Sequence, residues 1–260
     1  MKPLAGKTIL VTRGASQARP FVDRINKEGG ESLQTPLLHF QLNDSKENQE
    51  ILKKLHNYVW VFITSSNGVK FFFELVNQSG ICIPDTLRFA IIGEKTARTL
   101  NTYGYDADFI PSSFQADTMA EEFFREESTP GMILYVRGNR SRDVLPEKFA
   151  EQQVFFQTIT VYDTLLLKEH QKQIRQLICN HEIDALTFTS PSTVQAYFAI
   201  MRDMPETGRD LPCFCIGPTT ASQAEHFGFQ SGQAQIVLYL PLSANLQKLQ
   251  PGDSYPQTIE

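Results

Sequence analysis

The chain has 260 residues, 41% of them hydrophobic and 20% charged, which suits a globular protein with room for two modest domains or one large one. Its formal net charge of −5, without a basic stripe, argues against a nucleic-acid partner but leaves room for a local anion site. No apolar run reaches the roughly 18 residues of a membrane helix, and Met1 to Gly6 lead straight into a strand pattern, so no signal peptide and a cytoplasmic location are expected.

Short continuous apolar runs predict buried strands, and capped periodic stretches predict helices. Lys7 to Thr12 reads as the first strand, ended by Arg13-Gly14. A helix around Phe21 and Ile25 stops at Gly29-Gly30. Leu33 to Phe40 is expected to be extended, with Pro36 inside it. Asp44-Ser45 caps a helix bearing Ile51, Leu52 and Leu55. Tyr58 to Thr64 is the most apolar strand of the first half, and Ser65 or Ser66 caps the helix of Val69, Phe72, Phe73 and Val76. Then follow a strand at Arg88 to Ile92, a helix at Lys95 to Tyr103, a short strand at Asp108 to Pro111 and a helix at Ala116 to Glu126.

The second half opens with a strand at Met132 to Val136, a helix at Ser141 to Ala150 and an extended stretch at Val154 to Tyr162. Lys168 to Cys179 is a helix, Ile183 to Thr189 a strand, and Ser192 to Met201 a helix. Leu211 to Ile216 is a strand, Thr219 to Phe227 a helix, and Gln235 to Leu240 a last strand. A short helix at Leu242 to Leu249 and a frayed tail from Pro251 complete the expectation.

One α/β unit is written twice. Arg13-Gly14 answers Arg137-Gly138, and Ile92-Gly93 answers Ile216-Gly217, both 124 positions apart. Thr64 to Gly93 is 29 positions and Thr189 to Gly217 is 28. Repeats set the architecture, and alternating strands and helices predict parallel sheets with helices on both faces. In such sheets ligands lie beyond the carboxyl ends of the strands. Arg13, Ser65, Ser66, Thr96, Arg137, Ser190, Ser192, Thr219 and Thr220 gather there.

Helix starts carry free N–H groups and the positive end of the macrodipole, so they bind anions. Singly, each Ser or Thr reads first as an N-cap and each Arg as a surface ion-pair partner; the duplication of the set is what points to a ligand with several carboxylates or phosphates. Tyr162 ends the extended stretch Thr158 to Tyr162. It can donate a proton or a hydrogen bond, or simply pack its ring with a wet hydroxyl. There is no G-x-G-x-x-G, Walker A or G-x-S-x-G pattern. Five histidines without H-x-x-x-H spacing read as surface residues, and Glu121-Glu122 and Glu126-Glu127 as solvated helix residues. Cys82, Cys179, Cys213 and Cys215 lack partners at zinc-like spacing, so core packing of reduced thiols explains them and no metal is expected.

The ordered set Val11-Thr12-Arg13, Phe62-Ile63-Thr64-Ser65, Ile92-Gly93-x-x-Thr96-Ala97, Val136-Arg137-Gly138, Val161-Tyr162-x-Thr164, Phe188 to Ser192 and Ile216 to Ala221 resembles the uroporphyrinogen-III synthase family from Lys7 to Gly228. The resemblance implies an α/β fold of two similar domains with an exchanged chain path, joined by a two-stranded β linker. Domain one would comprise 1–35 with 167–260 and domain two 40–157, with linkers at 36–39 and 158–166. The implied reaction closes hydroxymethylbilane, a linear tetrapyrrole with eight carboxylates, to uroporphyrinogen III. Water is lost, ring D is inverted and no cofactor is used. Tyr162 would assist hydroxyl departure. Ser65, Ser66, Thr96, Ser190, Ser192, Thr219 and Thr220 would hold carboxylates with their amides, while Arg13 and Arg137 charge the site. Gly138 and Gly217 complete the substrate-binding set. A monomer, touching the preceding pathway enzyme only transiently, is implied. The rival reading is a non-catalytic cytoplasmic two-domain binder of a polycarboxylate small molecule. The family runs to a fuller final helix than the polar stretch after Gly228 predicts here.

Overall fold

A computed structural model describes residues 2–204, 207–229 and 234–236. The chain divides into two compact units, Met1–His39 with Leu165–Glu260, and Phe40–Thr164. The expected strand beyond Ile236, the helix at Leu242 to Leu249 and the tail lie outside the described residues.

The first unit holds β1 (Thr8–Val11), α1 (Ala15–Lys27), β2 (Glu31–Gln34), α7 (Gln171–Cys179), β8 (Ala185–Phe188), α8 (Pro191–Ile200), β9 (Cys213–Cys215), α9 (Pro218–His226) and β10 (Ala234–Ile236). Its sheet runs β10-β9-β8-β1-β2, all parallel, with Val11 opposite Thr187 and Phe188 opposite Cys215. Alternation sorts the side chains. Leu10, Leu186 and Phe188 face a core built with α7, α8 and α9, while Ile9, Val11 and Ala185 face α1.

The second unit holds α2 (Lys46–Lys53), β4 (Trp60–Ile63), α3 (Ser66–Ser79), β5 (Arg88–Ile91), α4 (Glu94–Asn101), α5 (Ala116–Glu126), β6 (Ile133–Gly138) and α6 (Val144–Glu151). Its sheet runs β3-β7-β6-β4-β5, where β3 is Leu38–Leu42 and β7 is Phe156–Leu166. Both unit boundaries fall inside these two neighbouring strands. Val61 and Ile63 pack with α3 and Leu100 of α4, and Trp60 and Phe62 with α5 and α6. Phe123 meets the rings of Trp60, Phe62 and Phe109 edge-on, with centroids 4.9, 4.8 and 5.3 Å away, the arrangement aromatic quadrupoles favour.

The duplication appears as equal strand order. Shifted by 124 positions, β4 and β5 fall on β8 and β9, and β1 and β2 fall on β6 and the start of β7. Even β10 has a counterpart, the single parallel bridge of Ala90 with Phe109. Each unit therefore takes half of each copy.

Some boundaries differ from expectation for local reasons. Leu33 to Phe40 is not one strand but β2 and β3. Thr35 and Leu37 still donate to the carbonyls of Val11 and Thr12, and Pro36 between them has no N–H to contribute. Asp108 to Pro111 forms only the bridge at Phe109, since the Asp108 carboxylate takes the Phe89 N–H at 2.8 Å. α6 starts at Val144 rather than Ser141, because residues 139–143 make a turn held by Arg137 and Asn139.

Candidate active site at the strand ends

In the first unit the carboxyl ends of β1, β8 and β9 bring Arg13, Ser190 and Gly217 to one edge of the sheet. Ser190 caps α8 through a capping box. Its hydroxyl accepts from the Thr193 amide at 3.2 Å, and the Ser190 amide donates in return to the Thr193 hydroxyl. The Ser190 and Ser192 hydroxyls lie 2.9 Å apart. α9 opens with Gly217 as N-cap and Pro218 at its first turn, with no side-chain cap. Thr219 is exposed there, whereas Thr220 is 3% exposed. α1 likewise opens on an uncapped glycine, Gly14. Its first-turn amides have no partner inside the helix.

Gly14 and Gly217 stand apart from the other described glycines. Each of the others has a positive φ or a neighbour within 4 Å of an added Cβ. Gly217 is fully extended, with φ −171° and ψ 172°, and a Cβ there would meet open space. Neither backbone conformation nor packing in this unit requires glycine at these two positions.

In the second unit β4, β5 and β6 end together, beside Tyr162 of β7. Ile63 pairs with Ile91 and Val136, and Gly138 with Tyr162. Ser65 caps α3 by accepting from the Gly68 amide at 3.0 Å. Ser66 is the first residue of α3 and partly exposed. Thr96, 5% exposed, is the equivalent of Thr220 in α4, whose N-cap Gly93 is again uncapped at φ +85°. The exposed Phe114 ring lies over Gly93, 3.6 Å from where a Cβ would be.

Tyr162 is 9% exposed. Its ring stacks on Phe71 with centroids 5.1 Å apart and meets Phe40 edge-on at 5.6 Å. Burial pushes its phenol above the ordinary tyrosine value, and a hydrogen bond with the Ser65 side chain pulls part of the way back. Gly138 lies beneath this ring. Tyr135 joins the same corner: burial raises its phenol too, opposed by a hydrogen bond with Thr64 and by the charge of Arg137. Arg137 donates to the Asp143 carboxylate and to the Ser141 carbonyl, so its charge is tied into the turn after β6. Arg13 also has an interaction within the protein.

The predicted residues thus collect at the strand ends of their own units, six in the first and six in the second. Phe71, Phe114, Tyr135 and Gly14 were not anticipated. For Gly14 a signal existed, since it aligns with Gly138 in the repeat. Among the described residues no three His, Cys, Asp or Glu are placed to hold a metal ion, and no helix is long and apolar enough to cross a membrane. Cys213 and Cys215 are buried on one face of β9, while Cys82 and Cys179 are exposed.

Two parallel α/β units, each built from half of each copy of one repeat, define a duplicated two-unit α/β protein. The family model for uroporphyrinogen-III synthase HemD matches residues 19–235. The chain belongs to this family, the uroporphyrinogen-III synthases of porphyrin biosynthesis. It is 25% identical over 232 residues to the porphyrin biosynthesis protein HemD of Ruminiclostridium josui, covering 88% of this chain and 46% of that protein, so it spans about half of that relative. It is 29% identical over 224 residues to a putative uroporphyrinogen-III synthase of Methanocaldococcus jannaschii, covering 85% and 90%. With the uroporphyrinogen-III synthase of Chlorobaculum parvum it shares 27% over 231 residues, covering 86% and 91%. The fold matches crystal structures of uroporphyrinogen III synthases from Thermus thermophilus, with TM-score 0.65, 16% identity and 93% and 95% coverage, and from Helicobacter pylori, with 0.57, 18%, 88% and 91%.

Proposed function

We propose that this chain closes hydroxymethylbilane to uroporphyrinogen III, with inversion of ring D, as a cytoplasmic, monomeric lyase that needs no metal or cofactor. The C–O bond of the hydroxymethyl group breaks and the hydroxyl leaves as water. The proton it takes up is matched by the one the pyrroles release when the new C–C bond forms. Electron-rich pyrroles supply the driving force, so the protein mainly holds the chain ends together in one orientation. Tyr162 donates a hydrogen bond to the departing hydroxyl. The amides at the starts of α1, α4, α8 and α9, with Ser65, Ser66, Ser190, Ser192 and Thr219, receive the carboxylates. Thr96 and Thr220 are buried, and their part is to present backbone amides. Arg13 and Arg137 add fixed positive charge.

The observation that carries this reading is the family match over residues 19–235, joined to a glycine at position 217 that its own unit does not require. A ligand approaching the α9 amides explains why no side chain stands there. Gly217→Ala tests it. An extended backbone accepts Ala, and a less flexible unfolded chain favours the folded state by about 0.4–1 kcal/mol. Thermal unfolding is therefore expected to hold or rise slightly, while KM for hydroxymethylbilane increases about tenfold, the loss of roughly one charge-assisted hydrogen bond. An unchanged KM would remove Gly217 from the site.

A further inference from the structure

Gly138 is not in the left-handed region, so its conformation does not call for glycine. Space does. A Cβ built at Gly138 falls on the Tyr162 side chain, 2.5 Å from Cε2 and 2.7 Å from the phenol oxygen. No real Cβ tolerates such contacts, so any larger residue must displace the ring. On its other sides the ring is stacked on Phe71 and met edge-on by Phe40. The phenol meets Ser65, whose oxygen is itself fixed by the Gly68 amide at 3.0 Å. Gly68 in turn is tight, with an added Cβ 2.8 Å from Ile63 Cγ2, so α3 sits close enough to hold Ser65 there. The repeat supplies an internal comparison. The counterpart of Tyr162 in the first copy is Leu38, and the counterpart of Gly138 is Gly14, which meets open space.

We propose that Gly138 and Phe71 are positioning residues for Tyr162: the missing side chain at 138 is a seat for the ring, Phe71 clamps it, and together they aim the phenol at Ser65. Gly138 thus acts through Tyr162 rather than by receiving a substrate carboxylate. The inference rests on the role given to Tyr162 in the proposed cyclisation.

Two readouts of Gly138→Ala test it. The first is spectrophotometric titration of the phenols, taken as the difference between each protein and its Tyr162→Phe partner, which isolates Tyr162. In the parent this phenol should ionise above the ordinary value; with Ala at 138 it should move down towards about 10, the value of a solvated tyrosine. The second is turnover. Gly138→Ala should lower kcat about tenfold with KM nearly unchanged, but less than about twofold when Tyr162 is already Phe, because the hydroxyl it misplaces is gone. An unmoved titration, or the same fold-loss in both backgrounds, overturns the proposal. Should Gly138→Ala not fold, Phe71→Leu keeps apolar volume, loosens the clamp and is read the same two ways. The titration uses no substrate. A titration shift in a protein whose parent forms no isomer III therefore sinks the cyclisation reading and leaves the seat standing.

Discussion

Tyr162 is buried, so its neutral form is favoured, and the Ser65 hydrogen bond only partly offsets this. The sign follows directly. A phenol whose value lies above the ordinary 10 keeps its proton throughout pH 6–9, so it can donate a hydrogen bond across that range without titrating. Tyr162→Phe is expected to lower kcat about ten- to a hundredfold, towards the lower end of what a positioned donor contributes. The ratio of parent to variant should stay constant from pH 6 to 9, and a ratio that collapses towards one by pH 9 would mean the phenol is being lost as a donor. At this scale the sequence showed which residue types stand at the strand ends, but not what they touch. Gly138 and Tyr162 are 24 positions apart on neighbouring strands, and a ring occupying a missing side chain leaves no local pattern. Nor did residue type reveal that Arg137 is held by Asp143 and the Ser141 carbonyl.

Among the elements, the helix starts divide into two kinds. α3 and α8 are capped by Ser65 and Ser190, whereas α1, α4 and α9 begin on Gly14, Gly93 and Gly217 without a side-chain cap. A serine cap serves the helix first, so stability and binding need separating. Ser190→Ala removes the acceptor of the Thr193 amide and should cost about 1 kcal/mol in denaturant unfolding. Among the described residues Ser192 bonds only to the Ser190 hydroxyl, so Ser192→Ala should change stability by less than about 0.5 kcal/mol. Both should raise KM if their hydroxyls face the substrate. A Ser192→Ala protein with parental KM would show that hydroxyl to be solvent-facing only. Element type was legible because apolar runs and turn residues are local signals. Boundaries were less so: Pro36 splits β2 from β3 while its neighbours go on donating to the end of β1, and α6 starts late because the preceding turn is organised by Arg137.

For the whole molecule, the 124-residue repeat predicted two similar α/β halves, and the sheets have the same strand order. Repetition alone did not show that each unit would interleave halves of both copies; that came from the family resemblance, because pairing partners far apart in the chain carry no periodicity. The burial that forms these cores also sets the response to alkali. Tyr58, Tyr135, Tyr162 and Tyr197 are all shifted upward by burial. The unfolded chain releases these protons near pH 10 while the folded chain keeps them, so the folded state binds more protons and stability falls as pH rises. Urea midpoints should be level up to about pH 9 and drop steeply between 10 and 11, as the unfolding free energy falls by up to about 1.4 kcal/mol per pH unit for each such tyrosine. A midpoint level through pH 11 would mean these phenols are solvated.

The central claim is tested most directly by giving purified protein freshly generated hydroxymethylbilane, without added metal or nucleotide, then oxidising the products and separating the porphyrin isomers. Spontaneous closure yields the uninverted isomer I. The account predicts isomer III as the main product, in an amount proportional to the protein added. Isomer I alone, formed at the rate of the protein-free control by a chain shown to be folded, would contradict it and leave a binder of polycarboxylates in its place.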